Sequence, residues 1–145
     1  MPLAIALPLP NNGSYQTQWD YLLSSFEPDE LYVIGDEEEA PSTNVFSHLE
    51  ATYITTLGDL PGDPTVVLLA SLDGRYIQGD ESLVDFTHPD DAIYFFGHDT
   101  RWVSDEVYGG RTPDHFVYVP TDSTDDLWSW QAAGIVLWDR MMKSG

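Results

Sequence analysis

The sequence predicts an α/β fold, a mostly parallel sheet flanked by helices, and three features carry that expectation. Continuous apolar runs at Leu3 to Leu7, Leu31 to Ile34, Thr65 to Ala70, Ala92 to Phe96 and Phe116 to Val119 lack polar alternation, which marks strands buried on both faces. Between such runs lies a segment whose apolar residues, Tyr15, Trp19, Leu22, Leu23 and Phe26, fall at helical spacing. A long apolar helix closes the chain. Strands alternating with helices over 145 residues indicate one domain, residues 1–145, built on a parallel sheet.

Taken in order, Leu3 to Leu7 is the first strand, and Asn11-Asn12-Gly13 the turn that leads into the first helix. That helix starts at Ser14 and stops at Pro28, which cannot continue it. Leu31 to Ile34 is the second strand, closed by Gly35. An acidic run, Asp36 to Glu39, precedes a short helix capped by Ser42, with Val45, Phe46 and Leu49 on its apolar face. Tyr53 to Thr56 is a weaker strand, and Gly58 to Pro64 is loop. Thr65 to Ala70 is the strongest strand of the chain. The stretch from Ser82 to Phe86 reads either as a half turn of helix or as an edge segment. Ala92 to Phe96 is ended by Gly97, and Asp99 to Gly110 is loop with a helical turn around Trp102, Val103 and Val107.

The final strand, Phe116 to Val119, ends at Pro120, which lacks a backbone donor. Ser123 and Asp126 then have capping-box spacing at the start of the last helix, where Asp125 and Asp126 suit the positive end of the dipole and Arg140 and Lys143 the negative end. Leu127, Trp128, Trp130, Ala132, Ala133, Ile135, Val136, Leu137, Trp138, Met141 and Met142 cover most of its circumference. A helix apolar nearly all round is buried from more than one side. Two readings fit, a central core helix or a helix shared with a second copy of the chain, and the second is favoured.

Charge is the strongest global feature: 25 acidic residues against 5 basic ones, a formal net charge of −20. The acids are spread through the loops, so the whole surface is acidic, as in proteins adapted to high salt. With a single lysine, Lys143, the composition points to the cytoplasm of a halophile or of a cell infected by a haloarchaeal virus. An acidic mimic of nucleic acid is the alternative. There is no cysteine, which excludes disulfides and thiolate metal sites. No stretch approaches a membrane span, and the first residues lack the basic segment of a signal peptide.

Ligands of parallel α/β folds bind at the carboxyl ends of strands. Three such ends carry small or turn-forming residues: Leu69-Ala70-Ser71, Phe96-Gly97-His98 and Val119-Pro120-Thr121. They are candidate binding loops or simply turns. No dinucleotide or P-loop fingerprint is present, no nucleophile elbow occurs, and His48, His88, His98 and His115 share no metal-ligand spacing.

Three blocks resemble the SpoU (TrmH-type) branch of the SPOUT RNA methyltransferases, the α/β-knot family. Leu9-Pro10-Asn11-Asn12-Gly13 with Glu30-Leu31-Tyr32-Val33-Ile34-Gly35 is similar to the family's Asn-x-Gly turn, helix and second strand. Asp91 to Phe96, followed by Gly97-His98-Asp99, is similar to its apolar strand and Gly-x-Glu. Val117-Tyr118-Val119-Pro120-Thr121, then Asp126-Leu127-Trp128 and Ala132 to Leu137, is similar to its Ile-Pro-Met strand end, Ser-Leu-Asn helix start and alanine-rich helix. The resemblance implies a trefoil knot in the carboxyl half and an S-adenosylmethionine site at Leu69, Ala70, Phe96, Gly97, Val119, Thr121 and Leu127. It also implies a homodimer through the first and last helices and ribose 2′-O-methylation of tRNA or rRNA.

The sequence departs from the family at positions tied to chemistry. Thr17 and Gln18 stand where the family has an arginine, Trp128 and Trp130 where it has asparagine and serine, and Asp99 where it has glutamate. Arg101 is the substitute assigned to catalysis, with Arg111 and His98 as alternatives. Arg75, Arg101 and Arg111 are expected in loops near the site. The second reading is a catalytically silent SPOUT-like dimer serving as a binding, structural or virion protein; a third is an α/β binding protein outside this family.

Overall fold

A computed structural model describes residues 2–9, 13–35, 50–70, 80–96, 105–122 and 129–144. Seven strands form one sheet: β1 (Ala4–Pro8), β2 (Glu30–Ile34), β3 (Ala51–Ile54), β4 (Thr65–Leu69), β5 (Glu81–Ser82), β6 (Ala92–Phe95) and β7 (His115–Tyr118). Their order is β3-β2-β1-β6-β4-β7-β5, and every pairing is parallel. The described strands thus form the parallel sheet that the sequence predicts. Among the described residues two α-helices flank the sheet, α1 (Gly13–Phe26) and α2 (Ser129–Ser144).

The unbroken apolar runs divide by residue parity. Ile5, Leu7, Leu31, Val33, Val67, Tyr94, Phe96 and Val117 face α1 and α2, where they meet Trp19, Leu23, Ala133, Val136 and Leu137. Ala6, Tyr32, Ile34, Val66, Leu68, Ile93 and Phe95 face the other way. Two 3-10 turns, at Leu57–Asp59 and Asp105–Tyr108, bring Leu57, Val107 and Tyr108 onto that second face. Ser82 to Phe86 holds both structures its sequence allowed: β5 ends at Ser82, and a 3-10 turn at Leu83–Asp85 follows with the Ser82 hydroxyl accepting from the Val84 amide.

A repeated device fastens the edge at which strands begin. The Asp29 amide donates to the Leu3 carbonyl at 2.8 Å while the Leu3 amide donates to the Asp29 carboxylate at 2.7 Å. Asp114 does the same with Val66, at 2.8 Å in both directions. Each aspartate precedes a strand and satisfies an amide at the start of the neighbouring strand, Leu3 just before β1 and Val66 within β4, one that would otherwise lie partly buried without a partner. Asp91 adds a third tie, its carboxylate accepting from the Thr65 hydroxyl at 2.9 Å.

The helix α1 stops through Glu27, which adopts a left-handed φ of +47° and donates back to the Leu23 carbonyl before the buried Pro28. Gly109, with φ +56°, lies against Thr56 so closely that a Cβ would collide with its side chain. A glycine is required there by both backbone and space.

Helix α2 buries Ala132, Ala133, Val136 and Leu137 and leaves Ile135, Trp138, Met141 and Met142 exposed. Leu137, at 1% exposure, belongs to the core of its own chain. The expected caps Ser123 and Asp126, the helix after Ser42, and the segments 71–79, 97–104 and 123–128 on which a knot turns lie outside the described residues. No helix among the described residues is long and apolar enough to cross a membrane.

Candidate functional site

The sheet order makes neighbours of β6, β4 and β7. Their carboxyl ends, the three segments singled out in the sequence, therefore stand side by side. Backbone bonds extend the alignment past the strands: the Ala70 amide donates to the Val117 carbonyl at 2.7 Å, and the Phe96 amide to the Ala6 carbonyl at 3.1 Å. This is also where the chain changes direction across the sheet. Strands β1, β2 and β3 progress one way, and the chain then crosses to β4 on the other side. A reversal of that kind leaves a crevice outside the strand ends, where ligands bind.

The described residues of this edge form an apolar ledge. Leu69, Ala70 and Val119 are half-buried, Leu69 and Val119 packing on the α1–α2 side of the core, and Thr121 is exposed. Phe96 departs from the simplest picture of a lining residue. Its ring is turned into the core against Trp19, with centroids 5.8 Å apart, so its side chain does not line the ledge. Gly97, Leu127 and Arg101 lie outside the described residues.

The amino-terminal turns of α1 and α2 meet through Tyr15 and Trp130, ring centroids 5.2 Å apart and tilted by 36°. A position expected to be a small polar residue is here an aromatic seam between two helices. Farther along the same seam, Gly134 lies against Leu22, 3.2 Å from where a Cβ would sit. Thr17 and Gln18 are exposed on α1.

The basic residues are placed differently from expectation. Arg111 does not approach the ledge. It donates to the Gly62 carbonyl at 3.3 Å, the Pro64 carbonyl at 2.8 Å and the Asp63 carboxylate at 2.9 Å, at the edge where β4 begins. The residue precedes β7, and in a parallel sheet that places it opposite the strand ends. Arg140 donates to the Pro2 carbonyl at 3.0 Å. Lys143 stands in the last turn of α2 as expected, and its ammonium group reaches the carbonyls of Leu83, Val84 and Phe86 at 2.7, 3.2 and 2.9 Å. Three of the five cations are thus engaged within the fold. No group of three metal-capable side chains occurs among the described residues.

Comparison with solved structures identifies the architecture as that of the SpoU-type methyltransferases. The SpoU methyltransferase AviRb from Streptomyces viridochromogenes, solved with AdoMet, aligns with a TM-score of 0.73 at 18% identity, covering 99% of this chain and 62% of that one. An AdoMet-bound rRNA methyltransferase from Sinorhizobium meliloti aligns with a TM-score of 0.75 at 12% identity, covering 98% and 56%. A structure that concerns the 2-OH methylation of C/U34 on tRNA aligns with a TM-score of 0.72 at 17% identity, covering 98% and 95%. The chain thus spans less than two thirds of the first two proteins. No protein-family model and no curated protein matches the sequence.

Proposed function

We propose that this chain binds S-adenosylmethionine at the carboxyl edge of β6, β4 and β7 and methylates a ribose 2′-hydroxyl of tRNA or rRNA. The observation that carries the reading is the alignment of the three strand ends into one ledge, in a fold whose solved examples include AdoMet complexes. The chemistry of the ledge fits the group: Leu69, Ala70 and Val119 offer an apolar surface for an adenine ring, and Thr121 an exposed hydroxyl. Gly97 and Leu127 complete the set by sequence. When bound, S-adenosylmethionine supplies a methyl group on a positively charged sulfur. The chain orients the acceptor and favours loss of the hydroxyl proton, a role assigned to Arg101. The Phe96–Trp19 packing keeps the floor of the site rigid.

The same reading includes a homodimer through α1 and α2. Tyr21 on α1 is 68% exposed, and Trp138 and Met142 on α2 are 54% and 58% exposed. Large apolar groups on adjoining helices form a surface suited to a second copy. The setting is a high-salt cytoplasm, in a halophile or during infection by its virus. A catalytically silent dimer is the second reading, favoured by Trp130 locked against Tyr15 and by the engagement of Arg111, Arg140 and Lys143.

Calorimetric titration of S-adenosylmethionine and S-adenosylhomocysteine in about 2 M KCl, where surface repulsion is screened, separates the two. Micromolar binding, abolished by Gly97→Trp, supports the enzyme. Absence of heat and of thermal shift overturns the cofactor reading and leaves the silent dimer.

A further inference from the structure

A partly buried chain of hydrogen bonds joins α2 to the middle of the sheet, and the ledge does not involve it. His88 sits between them with its side chain 4% exposed. Its Nδ1 lies 2.7 Å from the Tyr94 hydroxyl on β6, and its Nε2 lies 2.7 Å from the Asp139 carboxylate on α2. Lys143 Nζ reaches the same Asp139 oxygen at 2.9 Å. The Arg140 guanidinium also hydrogen-bonds the Tyr94 hydroxyl.

The donors fix the direction of every bond. Arginine can only donate, so the Tyr94 oxygen accepts from Arg140 and its proton goes to His88 Nδ1. That requires a neutral imidazole carrying its proton on Nε2, which donates to Asp139. A second proton on the ring would set Nδ1–H against the tyrosine O–H and leave a buried hydroxyl proton with no acceptor. Burial lowers the pKa of His88 from its ordinary 6.5, outweighing the opposing pull of Asp139, with Lys143 and Arg140 adding to the lowering. The Tyr94 hydroxyl is pushed up to about 12, chiefly by burial.

Other groups around His88 do not relieve this. The Phe86 ring meets its edge at 5.1 Å, and beyond that ring lies His115, 5.3 Å from Phe86 and bonded to Glu81 at 2.7 Å. Asp85 and Asp90, on the connection that carries His88, are exposed.

We propose that the Arg140–Tyr94–His88–Asp139–Lys143 chain is a pH-sensitive latch, which holds the last turns of α2 on the sheet and releases them when His88 takes up a proton. Protonation breaks the chain at Tyr94 and strengthens the hold of His88 on the Asp139 oxygen it shares with Lys143, which weakens the hold of Lys143 on it. Lys143 is also the residue that binds the carbonyls of Leu83, Val84 and Phe86, so the disturbance reaches the whole connection between β5 and β6. The released turns carry Trp138, Met141 and Met142, so acid alters an exposed apolar face. The latch stands on these contacts alone and does not depend on the cofactor reading.

Hydrogen exchange of the peptide 138–144, corrected for intrinsic rates, tests it from about pH 8 to pH 5, the range in which histidine changes charge. In the unaltered protein protection falls several-fold on acidification, more than in α1. His88→Gln, whose amide can donate to Asp139 and accept from Tyr94 without titrating, gives a flat profile. Tyr94→Phe removes the stranded hydroxyl, so the His88 imidazole followed by NMR titrates at higher pH. Equal pH profiles for the unaltered protein and His88→Gln, or a His88 titration unmoved by Tyr94→Phe, would overturn the latch.

Discussion

The two edges of the sheet use different chemistry. Where strands begin, Asp29 and Asp114 hold neighbouring amides and Arg111 clasps Gly62, Asp63 and Pro64. Where β4 and β7 end, Leu69, Ala70 and Val119 form a half-buried apolar ledge. The first edge uses its charges to satisfy the fold's own backbone. The second leaves a surface on which a flat ligand could lie. Cations engaged at the first edge and along α2 are held by the fold's own carbonyls and carboxylates, so under the proposed function they are not available to RNA phosphates.

The sharpest separation of inside from outside is on α2. Leu137→Glu places a charge in the core of the chain and is expected to cost about 4 kcal/mol or more, abolishing the cooperative unfolding transition seen by circular dichroism. Met141→Glu, at an exposed position, should leave that transition in place and, if α2 forms the proposed dimer interface, give monomers in sedimentation. A Met141→Glu protein that still sediments as a dimer would remove this face from the interface.

Next in size is the edge where strands begin. Asp114→Ala leaves the Val66 amide partly buried without its carboxylate, for a cost of about 2 kcal/mol, which lowers Tm by about 6 °C in a chain of this length. Asp29→Ala should do the same through Leu3. An unchanged Tm for both would mean that water replaces these carboxylates freely, and the contrast between the edges would fail.

The strands were readable because their residues are apolar on both faces and β-branched, and α1 because Tyr15, Trp19, Leu22, Leu23 and Phe26 keep one period. The order of strands was not readable. Strand β6 enters between β1 and β4, a pairing between distant segments that no local pattern records. The ledge could be anticipated because strand ends are marked by glycine and proline. Arg111 was misplaced, although a signal existed: a residue just before a parallel strand must lie at the opposite edge from a residue just after one. Nothing in the sequence announced His88, whose partner Asp139 is 51 residues away. Leu137 and Trp138 are both apolar in sequence, and only the packing of α2 on the core puts Leu137 inside and leaves Trp138 exposed.

A smaller effect comes from acid. The folded state holds His88 neutral, below its ordinary 6.5, whereas the unfolded chain protonates it near that value. Stability is therefore complete above about pH 6.5 and declines as pH falls from there toward the lowered folded value. Below that value this contribution is fully lost. Thermal melts of His88→Gln should lack this share of the decline, and parallel melting curves for the two proteins across that window would contradict it.

The smallest effect, and the one that tests the contrast between the edges most directly, is the salt dependence of the proposed RNA binding. Each phosphate neutralised on a single strand steepens the fall of log K with log salt by about 0.7. With Arg111, Arg140 and Lys143 engaged in the fold, only Arg75 and Arg101 remain of the five basic side chains. The slope should then be no steeper than about −1.4, and screening of 25 carboxylates against the phosphates pushes it toward zero or above. A steep negative slope, of the kind made by many phosphate contacts, would require the engaged cations to leave their carbonyls. Arg111→Gln discriminates between the two cases: it should lower Tm while leaving the slope unchanged if Arg111 belongs to the fold, and should flatten the slope if it belongs to the RNA.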